Sequence, residues 1–228
     1  MLKTNKHLSP PQAVINNNNN NNNKNFAHIN KFIIVCRKMN AKLLKSAILR
    51  TNVKHRPAPS LFYFPGLTSK AIWPTEHFDQ YCKLLSSNYD VILAEYKAIQ
   101  SKKGSDYGVE EHKLHSGKWD WHSYVSKGKR QADFAVHCPR TTEVLESLTQ
   151  PKLMANTPFS FAFFSTMYPK SKIDAHYAPC NLRLRCHFPL IVPNSNRVED
   201  CGMRIADTTF RWEVGKPVFF DDAYEHEG

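Results

Sequence analysis

The sequence predicts a mainly β domain, an antiparallel sandwich or barrel, with flanking helices and a basic polar leader. Three observations carry that prediction. From Pro158 onward short β-rich runs follow one another: FSFAFFSTMY, LRLRCHFPLIV, MRIA, TTFRWE and KPVFFDD, punctuated by Pro, Gly, Asn and Asp. Upstream, apolar residues recur with helical period near residues 76–100, where Phe78, Tyr81, Cys82, Leu84 and Leu85 share one side, and a second helix is expected near Thr141–Leu148. The third is where the charge lies. The net charge is +11, yet residues 1–60 hold eleven Lys and Arg, and the first acidic residue is Glu76. That leaves 20 basic against 20 acidic residues downstream, so the domain itself is neutral.

These facts exclude several classes. A neutral domain gives no footprint for nucleic acid, whatever the whole-chain charge suggests. No run approaches the roughly 18 consecutive apolar residues of a membrane-spanning helix. A 228-residue chain that is 41% hydrophobic and 12% aromatic can build a core, which excludes wholesale disorder. Its six cysteines form no CxxC pair, so neither a disulfide scaffold nor a zinc ribbon is expected.

In chain order, residues 1–30 contain Pro10-Pro11 and the tract Asn16 to Asn23, and read as a disordered leader. Residues 31–60 read as a basic amphipathic helix (31–50) and a Pro-rich linker, Arg56-Pro57-Ala58-Pro59. Three roles stand open for that helix: membrane-surface contact, part of an organelle-targeting leader, or plain docking. The sparse, unpatterned cysteines suit a reduced compartment, so a cytoplasmic location is the simplest expectation, with a mitochondrial or secretory fate open. Residues 61–228 form the predicted domain, in which 104–118 read as a surface loop.

The most informative segment is Leu182–Val192. At period two, Leu182, Leu184, Cys186, Phe188, Leu190 and Val192 point one way, and Arg183, Arg185 and His187 the other. A solvated face would explain this cheaply, but such faces usually mix signs. A lined cavity would instead demand anions, because unpaired buried cations are costly. Arginine forks match carboxylates in bidentate fashion, so the cavity reading is a carboxylate site. His176 lies upstream and His226 far downstream, and imidazole suits iron and zinc. A facial triad would need a carboxylate two residues after His176, where Ala178 stands.

Together FSTMYP (164–169), His176 with Pro179 and Asn181, RLRCH (183–187) and GKPVFFDDAYEHE (215–227) resemble the aspartyl/asparaginyl β-hydroxylase family. Weaker resemblance covers FYFPGL (62–67), GKW (117–119) and PRTTEVLESL (139–148). The resemblance implies a double-stranded β-helix (jelly-roll, cupin-like) barrel using Fe(II) and the cosubstrate 2-oxoglutarate. Its members lack the triad carboxylate, which accommodates Ala178. Carried over, His176 and His226 would be the metal ligands. Trp119, Ser165, Met167, Arg185 and His187 would bind 2-oxoglutarate, and Arg183 would hold an acidic group of the substrate. Asp221 and Asp222 would orient a ligand imidazole or form a plain turn. The implied activity is a dioxygenase hydroxylating the β-carbon of Asp or Asn in a protein substrate. Hydroxylation of a lipid acyl chain and a non-catalytic binding module are the alternatives. Family members continue through another strand with an Arg about ten residues past His226, whereas this chain stops at Gly228. The expectation is therefore a barrel lacking its last strand, with impaired activity.

Overall fold

The computed structural model describes residues 56–108, 115–193 and 200–228. The leader and the amphipathic helix expected over 31–50 lie outside them. Among the described residues the architecture is mainly β with helices on one side. In order come β1 (Ile72–Trp73), a 3-10 turn (Thr75–Phe78), α1 (Asp79–Ser87), α2 (Tyr89–Lys102), β2 (His115–Ser116) and β3 (Trp119–Ser126). Next are β4 (Lys129–Arg130), α3 (Ala132–His137), α4 (Pro139–Glu146), β5 (Ala162–Met167), β6 (Lys172–Ile173) and β7 (Arg185–His187). Last are β8 (Gly202–Ile205), β9 (Thr208–Arg211), β10 (Val218–Phe220) and β11 (His226–Glu227).

The strands form four small sheets, ordered β1-β10-β7, β11-β8-β9, β2-β6 and β4-β3-β5, with antiparallel ladders throughout. No sheet among the described residues closes on itself. The mainly β character with helices agrees with expectation, while the barrel lacking its last strand that the resemblance implied is represented by separate short ladders.

The single helix read over 76–100 is two. Ser86, Ser87 and Asn88 compete with the helical backbone for hydrogen bonds. Asn88 Nδ2 donates to the Leu84 carbonyl at 2.8 Å and ends α1 there. Helix α4 starts earlier than expected, with Pro139 in its first turn. Its free amides are capped from α2: Glu95 accepts from the Thr141 amide at 2.7 Å, the Thr141 hydroxyl at 2.6 Å and the Arg140 amide at 3.0 Å.

Strand β10 divides the core because its neighbouring side chains point to opposite faces. Phe219 stacks on Phe78 with centroids 4.1 Å apart, in a cluster with Tyr81, Leu85, Ile92, Val144 and Leu148 from the helical side. Phe220 faces the other way, packing with Met203, Ile205, Ala206 and Tyr224. A third cluster joins α2 and α3 to β3 through Ile99, Phe134, Tyr124 and Val125.

The long strand expected over Leu182–Val192 is three residues, Arg185–His187. Pro189 and Pro193 cannot donate to a ladder, and residues 182–184 lie outside it. Leu182 and Leu184, read as sharing a face with Cys186, Phe188 and Leu190, are 44% and 38% exposed. Cys186, Phe188 and Leu190 do pack against the helical cluster. On the cationic side the Arg183 side chain is 9% exposed and that of Arg185 30%, so from Arg185 to Leu190 both sides of the segment are at least partly covered.

Candidate active site

Two segments carry the imidazoles. His176 follows β6, and His226 opens β11. They meet as an antiparallel bridge in which each backbone amide donates to the other residue's carbonyl at 3.0 Å. Bonds from Ala178 N to Asp222 O (2.8 Å), and between Ile173 and Gly228 in both directions, extend the pairing. Fifty residues of separation are closed by this ladder, and the ring centroids lie 4.1 Å apart.

Each ring is fixed by a backbone carbonyl. Nδ1 of His176 lies 2.8 Å from the Asp174 oxygen, and Nδ1 of His226 lies 2.9 Å from the Tyr224 oxygen. With the proton on Nδ1, the Nε2 lone pair of each is left to bind elsewhere. The imidazoles are also held neutral. Burial, then the neighbouring His176, pushes His226 down to about 4. Burial lowers His176 against the opposing Asp174 bond. Burial and Arg185 take His187 to about 3.

These residues fit a metal ion by a simple measure. A metal bound through Nε2 sits about 3 Å from the ring centroid, so adjacent ligands have centroids roughly 4–5 Å apart. The observed pair is at the short end of that range. Among the described residues no group of three or more His, Cys, Asp and Glu could hold an ion. Ala178, at the position a triad carboxylate would take, is buried. The protein's donors at this point are two imidazoles.

The two arginines differ. Arg183 is spent inside the protein: Nε and Nη2 donate to Asp222 at 3.0 and 2.7 Å, and Nη1 to the Phe159 carbonyl at 2.5 Å. Its side chain is 9% exposed. Arg185 gives only Nε to Asp222, at 2.7 Å, and is 30% exposed. Its terminal nitrogens have no partner among the described residues. Burial alone would raise Asp222, but Arg185 and Arg183 outweigh it and hold the carboxylate below its usual range. Asp222 therefore serves guanidinium groups, not an imidazole. Asp221 turns to Ser69 and to the Ala223 amide, at 3.0 and 2.9 Å.

Of the remaining predicted residues, Trp119 lies on β3, Ser165 and Met167 on β5, and His187 on β7. Trp119 pairs with Met167 across the ladder, and its Nε1 donates to Ser165 Oγ at 2.8 Å. Ser165 and Met167 share a face, as alternate strand residues must. His187 stands edge-on to Phe220 at 4.7 Å. All eight predicted residues lie along a very broad depression that also takes in much of the rest of the described domain. Direct contacts join them in three subsets: the imidazole pair, the arginines through Asp222, and Trp119 with Ser165.

Gly117 shapes the entry to β3. It adopts φ +79, and a Cβ there would stand 2.5 Å from Ser171 Oγ. The same Ser171 hydroxyl accepts from the Lys118 amide at 2.9 Å. The sequence reading missed Tyr107, His115 and Trp121, which surround Trp119 with centroids 5.1, 5.6 and 5.0 Å away. Only the tryptophan spacing, 119 and 121, hinted at this aromatic wall.

A paired-imidazole bridge beside an arginine with free ends, on a mainly β scaffold, is a donor set suited to a cation and a carboxylate. That is the class of protein that fold and site define. The profile of aspartyl/asparaginyl β-hydroxylases matches residues 86–228, and this chain belongs to that family. An aspartate β-hydroxylase domain-containing protein 2 from Rattus norvegicus is 30% identical over 171 residues, which is 74% of this chain and 48% of the rat protein. The aspartyl/asparaginyl β-hydroxylase of Homo sapiens is 29% identical, across 74% of this chain and 22% of its own length. An ornithine lipid ester-linked acyl 2-hydroxylase from Rhizobium tropici is 32% identical over 110 residues, 48% of this chain and 36% of its own. The chain thus spans less than half the length of these relatives. No helix among the described residues is long and apolar enough to cross a membrane.

Proposed function

We propose that this chain is an Fe(II)- and 2-oxoglutarate-dependent dioxygenase that hydroxylates the β-carbon of Asp or Asn in a protein substrate. The observation that carries it is the His176–His226 bridge, with both Nδ1 atoms tied to carbonyls beside the free end of Arg185. Held by these imidazoles, ferrous iron would supply oxygen activation coupled to decarboxylation of 2-oxoglutarate to succinate and CO2, with oxygen inserted into a C–H bond.

The chain's own residues do the rest. Neutral, carbonyl-anchored imidazoles present two lone pairs with little reorganisation. Arg185 offers its two terminal nitrogens to one carboxylate of 2-oxoglutarate, a charge-assisted pair. Ser165 accepts from Trp119 and keeps its own proton to donate to the same ligand. Met167 and the aromatic wall exclude water from the reacting carbon. Arg183, engaged by Asp222 and Phe159, braces Arg185 instead of meeting the substrate. Several short ladders around one broad depression are consistent with an opened form of the family's double-stranded β-helix.

The test is succinate release from 2-oxoglutarate with Fe(II), using an Asp-containing peptide and, separately, an acyl lipid. Peptide-dependent turnover that falls more than about a hundredfold in His176→Ala supports the proposal. Lipid-dependent turnover alone would favour acyl hydroxylation, in line with the Rhizobium relative. Turnover indifferent to His176 would defeat both.

A further inference from the structure

Upstream of the matched residues 86–228, a strap formed by residues 57–64 lies across both imidazole-bearing segments. The Ala58 amide donates to the Ala223 carbonyl at 2.8 Å, in the segment leading to His226. Ser60 N donates to Ala178 O at 2.8 Å, and Leu61 N and Phe62 N to Pro179 O at 3.0 and 2.8 Å, all in the segment that follows His176. Phe62 bridges Cys180 in parallel. Asn181 then closes the strap with both ends of its amide. Its Oδ1 accepts from the Phe64 amide at 2.8 Å, and its Nδ2 donates to the Phe64 carbonyl at 2.9 Å.

The strap's own sequence suits it to this task. Pro57 and Pro59 limit the backbone to extended conformations, and Ala58 and Pro59 are buried. Asn181 is itself 8% exposed. A buried amide that satisfies one backbone amide and its own carbonyl costs little to bury and much to break. The imidazole ladder, by contrast, has few bonds of its own: a reciprocal pair at 176–226, another at 173–228 and a single bond at 178–222. A ladder that short holds a fixed ring spacing only if something ties its two segments from outside.

We propose that Asn181 is a positioning residue for the imidazole pair. It locks the strap to the segment carrying His176, while Ala58 of the same strap fastens the segment carrying His226. The inference rests on reading that pair as a metal centre, but its mechanical half stands on the hydrogen bonds alone.

Two variants test it. Asn181→Ala removes both amide bonds, and Phe64→Pro removes the donor from the other end, at a side chain 42% exposed. Should Asn181→Ala fail to fold, Phe64→Pro still reads the same bond. Co(II) titration followed by visible absorption, and amide hydrogen exchange of the metal-free chain, are the readouts. The expected result is a Kd for Co(II) raised about tenfold in both variants. The double variant should be no worse than either one, and Asn181→Asp, which keeps the acceptor, should lie between. Exchange at the His176 and His226 amides should quicken about tenfold while the β3–β5 ladder stays unchanged. Strap amides that quicken while the two histidine amides and the Co(II) affinity stay fixed would overturn the inference. A wild-type chain that takes up no Co(II) would sink the metal-centre reading alone. The histidine exchange rates would then decide the positioning role by themselves.

Discussion

In the β3–β5 sheet, paired residues run from Trp119–Met167 to Val125–Ala162 with one irregularity, between Ser123 and Val125. The segments bearing His176 and His226 meet at one bridge and a few flanking bonds. The first region is held by backbone repetition and by α2 and α3 packed on its far face. Tyr96 and Gln100 both reach Thr166 there, at 3.0 and 3.1 Å. The second region is held by side chains: Asn181 on the strap, Asp222 between two arginines, and Arg204 clamped to Glu225 and Glu227 at 2.9 and 2.5 Å. A regular ladder fixes a frame. In the irregular one backbone carbonyls hold Nδ1 of each ring and leave Nε2 and the terminal nitrogens of Arg185 to a ligand.

The comparison can be broken at the frame first. Phe134 is 1% exposed and packs on Tyr124 and Phe164, with centroids 5.5 and 5.4 Å away. Phe134→Ala should cost about 3–5 kcal/mol in urea denaturation while leaving Co(II) affinity unchanged. A matching loss of affinity would merge the two regions into one.

The arginines sharpen it next. Arg183→Gln strips the buried Asp222 of a partner and should lower stability by about 3 kcal/mol, seen as a reduced urea midpoint. Arg185→Gln should instead raise the KM for 2-oxoglutarate about ten- to hundredfold, the effect of losing a charge-assisted pair of roughly 1.5–3 kcal/mol. If both substitutions acted alike, the division of labour between them would be wrong.

The smallest effect is a pH dependence. Burial, partly offset by the Ala223 and Ser69 bonds, raises Asp221 to about 6. A carboxyl raised in the folded state favours folding most below its ordinary value, near pH 4, and that advantage is lost as pH climbs through about 6. Asp221→Asn cannot ionise, so its stability relative to the wild type should improve across that window. Urea midpoints measured at pH 4 and pH 7 check it, and a constant difference would refute it.

Much of this was legible in the chain. Helical and strand periods placed α4, β5, β8, β9 and β10 to within a few residues, and covered α1 and α2 as one helical stretch without the break at Asn88. The spaced motifs gave the family. Strand β3 escaped because polar residues interrupt its buried run: His122 and Ser123 precede Tyr124 and Val125, and all four are buried. His122 and Ser123 are 3% exposed, made tolerable by the Lys103 carbonyl and by Asp106. Residues 57–60 look like a linker in sequence, yet Ala58 and Pro59 are buried against the site segments.

The amino-acid order alone determined which residues could do chemistry: two imidazoles, two arginines at alternate positions, and a small residue where a carboxylate would stand. Only the tertiary structure decided how they divide the work. Arg183 and Arg185 are chemically identical and two residues apart, so no local pattern separates them. Asp222, brought from the far end of the chain, accepts from two nitrogens of Arg183 and from one of Arg185, and the Phe159 carbonyl takes the third nitrogen of Arg183. The spacing of the imidazoles was likewise set by a ladder between distant segments, because backbone hydrogen bonds across a fold obey geometry that sequence separation does not encode.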